Sequence, residues 1–206
     1  SQVGTQAFKK GSMPLTVDNI ASGVKILLNE GGQNVEIDTR SGLVNKNIEE
    51  ILSNHRRDPL RFPAEQASAD IRGIVMHAIK EGIKSTGLAL EAFETPDKTF
   101  YLRHKEFGED HTFSVTTNLP GLLTRQANIA ELAEPGIDVA GRIGGQAARG
   151  KGQYLTAIHG GSPAKGITIQ YDRTIGLKEV PIKNELGEFI GLEFVEETQE
   201  EIVGSP

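Results

Sequence analysis

A glycine-rich segment near residue 150 has the spacing of a nucleotide-binding loop. From Gly145 the sequence reads Gly-x-x-x-x-Gly-Lys, ending at Lys151. Such a loop requires a helix directly after it, because the free N–H groups of the helix N-terminus bind the anion. Gly152 stands where Ser or Thr would hold Mg²⁺, and residues 154–158 alternate like a strand. We therefore predict that residues 144–153 form a turn or loop between strands and bind no nucleotide.

Two histidines close to three carboxylates have the residue types that bind metal ions. His104 and His111 flank the segment KEFGED, which carries Glu106, Glu109 and Asp110. Imidazole and carboxylate groups together suit divalent metals. A hairpin with solvated charges explains the same residues without a metal, and it is the favoured interpretation. No metal ligand is predicted here.

Three further groups of polar residues have a structural interpretation that outweighs a chemical one. They are the cluster His55-Arg56-Arg57-Asp58, the lone His77, and the carboxylate pair Glu65 and Asp70. The cluster could bind an anion, but a solvated loop between helices is favoured. The lone histidine fits the flank of a helix better than a ligand, and an acidic residue near a helix start is explained by the helix dipole without acid–base catalysis. We predict no catalytic or cofactor-binding residue and no enzymatic activity.

The elements that must position these residues divide near residue 128. In the first part, helical spacing marks residues 45–54, with Asn45 or Asn47 as cap, and residues 63–84, with Pro63 as first helical residue. Strand patterns occupy PLTVDNI (14–20), a hairpin at 23–39, LALEAF (88–93), KTFYLRH (98–104) and HTFSVTT (111–117). These patterns predict an α+β unit, with a helix packed on a small, mostly antiparallel sheet.

The second part of the chain has strand patterns without a helical period. They are GIDVAGRI (136–143), QYLTAIHG (153–160), GITIQYD (166–172), IGLKEVPIK (175–183) and GEFIGLEFVEE (187–197), followed by a charged exit. Turn residues at this spacing favour an all-β sandwich or open barrel. We therefore predict two domains, 12–126 and 127–206, with a linker near RQANIAELAEPG (125–136).

Composition narrows the classes of function. The 206 residues carry a net charge of −6 and include no cysteine. A basic footprint for nucleic acid is absent, and disulfides, thiol catalysis and Cys-based zinc sites are excluded. No apolar run approaches the roughly 20 residues of a membrane span, so neither nucleic acid nor membrane is an expected partner.

A longer segment around the glycine-rich stretch resembles the hook IN motif of bacterial flagellins and flagellar cap proteins. The positions that match in order are Asp138, Val139, Gly141, Ile143, Gly145, Ala148, Gly150, Gly152, Leu155, Thr156, Ala164 and Gly166. Upstream, FYLRHKEFGEDHTFSVTTNLPGLLT is similar to a segment often seen before that motif. The resemblance covers residues 100–171, about a third of the chain.

The resemblance implies a structural role outside the cell. It implies a surface-exposed outer domain of a flagellin or of a hook–filament junction protein, exported without a cleaved signal peptide. The alternative is the outer domain of a filament-cap protein, acting as an adhesion module. Expected partners are neighbouring flagellar subunits, through terminal helices that this sequence lacks, with host or surface glycans for the alternative. Without those helices we expect a monomer or weak oligomer that forms no filaments.

Overall fold

Strands dominate the structure, and two helices lie in the first half of the described chain. The computed structural model describes residues 2–158, 165–183 and 189–205, and beyond residue 170 it describes the backbone alone. The helices are α1 (Gly42–Arg57) and α2 (Ala64–Thr86). The strands are β1 (Gln6–Lys10), β2 (Lys25–Glu30), β3 (Gln33–Asp38), β4 (Leu90–Glu94), β5 (Phe100–Phe107), β6 (Ser114–Thr117), β7 (Glu131–Leu132), β8 (Arg142–Ile143), β9 (Gln146–Lys151), β10 (Tyr154–Ala157), β11 (Thr168–Lys183) and β12 (Phe189–Ser205).

The strands form three sheets with antiparallel pairing between most neighbours. Their orders are β3-β2-β6-β7, β1-β5-β4 and β12-β11-β10-β9-β8. The predicted α+β fold with a strand-rich second part is confirmed. The predicted hairpin between β5 and β6 is wrong, because these consecutive strands belong to different sheets.

The residues group into two units, which are interleaved along the sequence. The first, here called the β unit, comprises Ser1–Ala7, Glu106–His111 and Pro135–Pro206. The second, here called the helical unit, comprises Phe8–Lys105 and Thr112–Glu134. The chain passes from one unit to the other several times, whereas the prediction places one boundary between 12–126 and 127–206. Those domain limits stay a prediction.

Helix α2 carries the apolar face on which the helical unit is built. Pro63 stands immediately before the helix, and Gly87 ends it with φ of +71°, a conformation that glycine adopts without strain. The predicted inward residues Ile71, Val75, Ile79 and Ile83 are buried. Strands β3 and β4 both contact this helix, so its apolar face packs against two sheets.

Two predictions about local structure in the helical unit are wrong. Residues 14–20 form an irregular segment and a turn instead of a strand, because Asn19 satisfies nearby backbone groups. Its Oδ1 accepts the N–H of Thr16 at 2.7 Å, and its Nδ2 donates to the carbonyl of Pro14 at 3.0 Å. Such local bonds compete with a sheet ladder. Helix α1 begins at Gly42, upstream of the predicted caps.

Two tight turns determine the course of the chain through the β unit. Ile143 pairs with Gln146 and Lys151 pairs with Tyr154, so each connection has two residues. Gly144, Gly145 and Gly152 have φ of +61°, +81° and +56°, which two-residue hairpin turns of the favoured hand require. The prediction that all of residues 144–153 form a turn is therefore wrong in part, because β9 lies between the two turns.

Strands β11 and β12 form a long antiparallel ribbon. Their register runs from Thr168↔Ser205 to Lys183↔Phe189. The prediction of separate strands at 166–172 and 175–183 is wrong, since Arg173 and Thr174 continue the ladder. The expected charged exit after residue 197 is also strand. The predicted turn around Ala164 and the start of the last predicted strand, 187–188, lie outside the described residues.

The amino-terminal residues of the β unit pair with residues far along the sequence. Gln2 and Ala140 exchange two backbone hydrogen bonds, of 2.7 and 2.9 Å. Thr5 and Ile137 do the same at 2.8 and 3.2 Å. A small cluster of buried apolar side chains lies near this pairing: Val139, Ile143, Leu155 and Ala157. The unit therefore combines a limited core with backbone pairing over a long sequence separation.

Candidate functional site

The glycine-rich stretch that resembles a phosphate loop is a pair of hairpins. Lys151 ends β9, and only two residues separate it from the start of β10 at Tyr154. The N–H groups that a helix start would offer to a phosphate are therefore not placed after this lysine. The Lys151 ammonium lies 3.5 Å from Asp110 Oδ2, and both side chains are exposed. This stretch therefore forms β-hairpins, and its lysine forms a surface ion pair.

Asp138, the first matched residue of the motif, joins the two segments that carry the resemblance. Its Oδ1 accepts the N–H of Gly152 at 2.8 Å and the N–H of Glu109 at 3.3 Å. Next to it, Val139 N–H donates to the Gly152 carbonyl at 2.8 Å. One carboxylate thus fixes both the turn after β5 and the turn after β9. We call this arrangement the Asp138 clasp.

Glycines allow the backbone segments around the Asp138 clasp to approach closely. A Cβ at Gly150 would overlap the Val139 carbonyl oxygen, and one at Gly108 would overlap Asp138 Oδ1. At Gly4 a Cβ would lie 2.5 Å from the Gly152 carbonyl oxygen. Larger residues would separate these segments, so Gly150 of the motif is required for packing, as are Gly4 and Gly108 outside it.

His104 occupies a buried position, and the prediction of solvated charges is wrong for it. It is 2% exposed and continues the inward alternation of Phe100 and Leu102 along β5. Its Nε2 lies 3.1 Å from Glu30 Oε1, and Glu30 Oε2 accepts the N–H of Ala89 at 2.9 Å. The alternation in the sequence was the available signal for this burial.

The other residues considered for a metal site have separate partners. Glu109 contributes its backbone N–H to the Asp138 clasp, and Asp110 pairs with Lys151. His111 and Glu106 also make contacts within the structure. Over the described residues, no group of three or more His, Asp or Glu side chains is arranged to hold a metal ion.

The cluster at residues 55–58 forms the end of α1. His55 Nδ1 lies 2.7 Å from the Phe62 carbonyl oxygen, a distance at which the ring donates to that oxygen. Asp58 Oδ1 accepts the N–H of Arg61 at 3.1 Å. Basic residues in a last turn are favoured by the helix dipole. These contacts hold the connection between the two helices, and three of the four residues predicted as loop are helical.

The remaining candidates lie on α2 and do not form a catalytic pair. Glu65 Oε1 contacts Lys98 Nζ at 3.2 Å, whereas Asp70 Oδ1 accepts from Gln66 Nε2 at 2.9 Å. His77 is exposed beside an open groove between the two helices. The structure therefore places the two carboxylates in separate hydrogen bonds.

A charged cluster around Glu131 was not predicted from the sequence. Although burial opposes ionisation, the hydrogen bond from Lys9 and the N–H groups of Gln126 and Arg125 hold the pKa of the Glu131 carboxyl below its ordinary value. The distance to Lys9 Nζ is 2.8 Å. Because the two residues are 122 positions apart, no local pattern indicates their contact.

A basic groove on the helical unit was also not predicted from the sequence. It runs beside β4, the edge strand of its sheet, with a volume of about 750 Å³. We call it the lysine groove; its cationic lining residues are Lys80, Lys84, Arg103 and Lys105. The helical spacing of Lys80 and Lys84 places both on one side of α2, but their position beside β4 depends on the tertiary fold.

Neither described helix is long and apolar enough to cross a membrane. Comparison with known proteins found no matching family model, no matching curated protein and no matching solved structure.

Proposed function

We propose that this chain is a structural, surface-exposed outer domain of a bacterial flagellar filament or hook-associated protein, outside the cell. The Asp138 clasp is the observation that supports this most. It joins the two segments of the resemblance, the turn at 106–109 and the motif at 138–152, through one carboxylate. In this role the motif residues maintain a shape, and the domain catalyses no reaction.

The test is the location of the protein on the source bacterium. Antibodies raised against the purified chain should label flagella in immuno-electron microscopy, either along the filament or at its junction with the hook. The same antibodies should give no label on cells from which the gene has been deleted. Labelling confined to the cell body would contradict the proposal.

The alternative proposal is a filament-cap outer domain that acts as an adhesion module. The lysine groove favours it, because an open groove of this size on an acidic chain can bind an anionic surface group. Label restricted to the distal tip of the filament would favour this alternative. Binding of the purified chain to acidic glycans, lost on charge reversal of Lys80 and Lys84, would support it further.

A further inference from the structure

The lysine groove concentrates positive charge on a chain whose net charge is −6. Its lining includes four cationic side chains and one carboxylate, Glu91. That carboxylate lies 2.6 Å from Arg103 Nε, whereas Lys80 and Lys84 are exposed on α2. The groove is therefore electrostatically suited to an acidic occupant.

The floor and one wall of the groove have the residue types of a protein interface. Ile83, Leu90 and Ala92 are buried apolar residues at its base. On β4, the Phe93 ring lies 4.7 Å from the Arg103 guanidinium carbon. Aromatic and arginine side chains are enriched where protein partners bind. A groove along an edge strand suits an extended segment, as in peptide recognition by strand addition.

The same chain contains an acidic extended segment. Strand β12 carries Glu193, Glu196, Glu197, Glu200 and Glu201 and no Lys or Arg. It is the edge strand of its sheet in the part of the chain that the structure describes. Beyond Gln170, the register of β11 involves β12 alone among the described strands. A two-stranded ribbon is marginally stable without further packing, so this segment would gain from a partner.

We propose that the lysine groove binds the acidic strand β12 of a second copy of this chain. Charge complementarity selects this occupant. The glutamates of β12 would weaken its pairing with a neutral or acidic strand edge, but they are attracted by the cationic side chains of the lysine groove. The contact joins different surfaces on the two copies, so it is heterologous. This proposal rests on the proposed partnership between flagellar subunits. Because it is tested on the purified chain, it can fail while the proposed flagellar location holds.

The test is sedimentation velocity of the full chain over a range of concentrations. Weak association should appear at about 50 mM salt and weaken at about 500 mM, because exposed charges are screened. Lys80→Glu with Lys84→Glu should weaken association roughly tenfold or more, as should Glu197→Lys with Glu201→Lys. The matched control is Lys46→Glu with Lys165→Glu, which reverses two exposed lysines away from the groove lining and should leave association unchanged.

Mixing the two interface variants gives the sharpest result. Each variant alone should associate only weakly. In the mixture, the unchanged lysine groove of the Glu197→Lys, Glu201→Lys variant remains complementary to the unchanged β12 of the Lys80→Glu, Lys84→Glu variant, so association should be restored. Circular dichroism establishes that each variant is folded, and Lys80→Gln with Lys84→Gln provides a milder change at the same sites. Absence of association by the wild-type chain, equal loss in the control, or a mixture that stays monomeric would each overturn the proposal.

Discussion

The helical unit and the β unit are stabilised by different means. In the helical unit, large side chains such as Phe100, Ile71 and Leu102 are almost fully buried around α2. In the β unit, the described core cluster consists of four smaller or less buried residues, and glycines let backbone segments approach closely. The first unit therefore depends mainly on side-chain volume, whereas the second depends more on backbone geometry. Substitutions that remove side-chain volume and substitutions that disturb the backbone should therefore affect the two units differently.

The largest effect should follow removal of core volume from the helical unit. Phe100→Ala should destabilise it by about 3–5 kcal/mol, because the substitution removes buried contacts and leaves a cavity. Hydrogen exchange measured by mass spectrometry should show faster exchange in peptides from 71–83 and 100–105. Leu60→Ala is the control, since Leu60 is 95% exposed and should change exchange little. Similar exchange in both variants would contradict a volume-based core.

A single added methyl group should test the backbone geometry of the β unit. Gly150→Ala should cost about 1–3 kcal/mol, because its Cβ meets the Val139 carbonyl and the backbone must shift. Faster exchange should be confined to peptides from 138–157. Gly73→Ala is the matched control: it lies within α2, no atom is close to the added Cβ, and the change should stabilise by about 0.5–1 kcal/mol. Equal destabilisation by both would remove the distinction.

Loss of the Asp138 carboxylate should have a somewhat smaller effect in the same unit. Asp138→Ala leaves the N–H of Gly152 without its acceptor and should cost about 1–2 kcal/mol. Chemical denaturation followed by hydrogen exchange at 106–109 and 150–154 would measure it. Asp110→Ala removes a carboxylate of an exposed ion pair and should stay within about 0.5 kcal/mol of wild type. If Asp110→Ala were the more harmful change, the assigned role of the clasp would be wrong.

The smallest effect should depend on pH and belong to the helical unit. Because the folded pKa of Glu131 is lowered, its contribution is present above the unfolded pKa and is lost as pH falls through the folded pKa. Glu131→Gln should therefore cost about 1 kcal/mol near neutral pH, and the difference from wild type should shrink in acid. Thermal unfolding of both proteins across that pH range provides the measurement. A difference that is constant with pH would exclude the ionised carboxylate as its cause.

The sequence predicted the features that local spacing determines. The apolar period of α2 and the Gly31-Gly32 hairpin are both complete within a short stretch, so each was identified. Strand β5 was also identified, although His104 was expected to be solvated and is buried. The limits of elements were less predictable, as at residues 14–20, where Asn19 bonds to nearby backbone groups.

Features that depend on distant pairing could not be read from one sequence. His104 and Glu30 are 74 positions apart, and Lys9 and Glu131 are 122 apart. Their contacts require the sheets to be assembled first. The lysine groove has the same origin, because Lys80 and β4 become neighbours only when α2 packs. For the candidate sites, the sequence therefore supplied residue types, whereas the fold determined which of them meet.

The pairing of Gln2 and Thr5 with residues 137–140 sets an order of events during synthesis. Thr5 and Ile137 are 132 positions apart. At the usual rate of about 5–20 residues per second, Thr5 leaves the ribosomal active site roughly 7–26 s before its partner exists. Helix α2, by contrast, has its own backbone hydrogen-bond partners as soon as its residues have emerged. Gln2 and Thr5 are thus made well before their native neighbours, so the β unit is completed after the elements encoded between them.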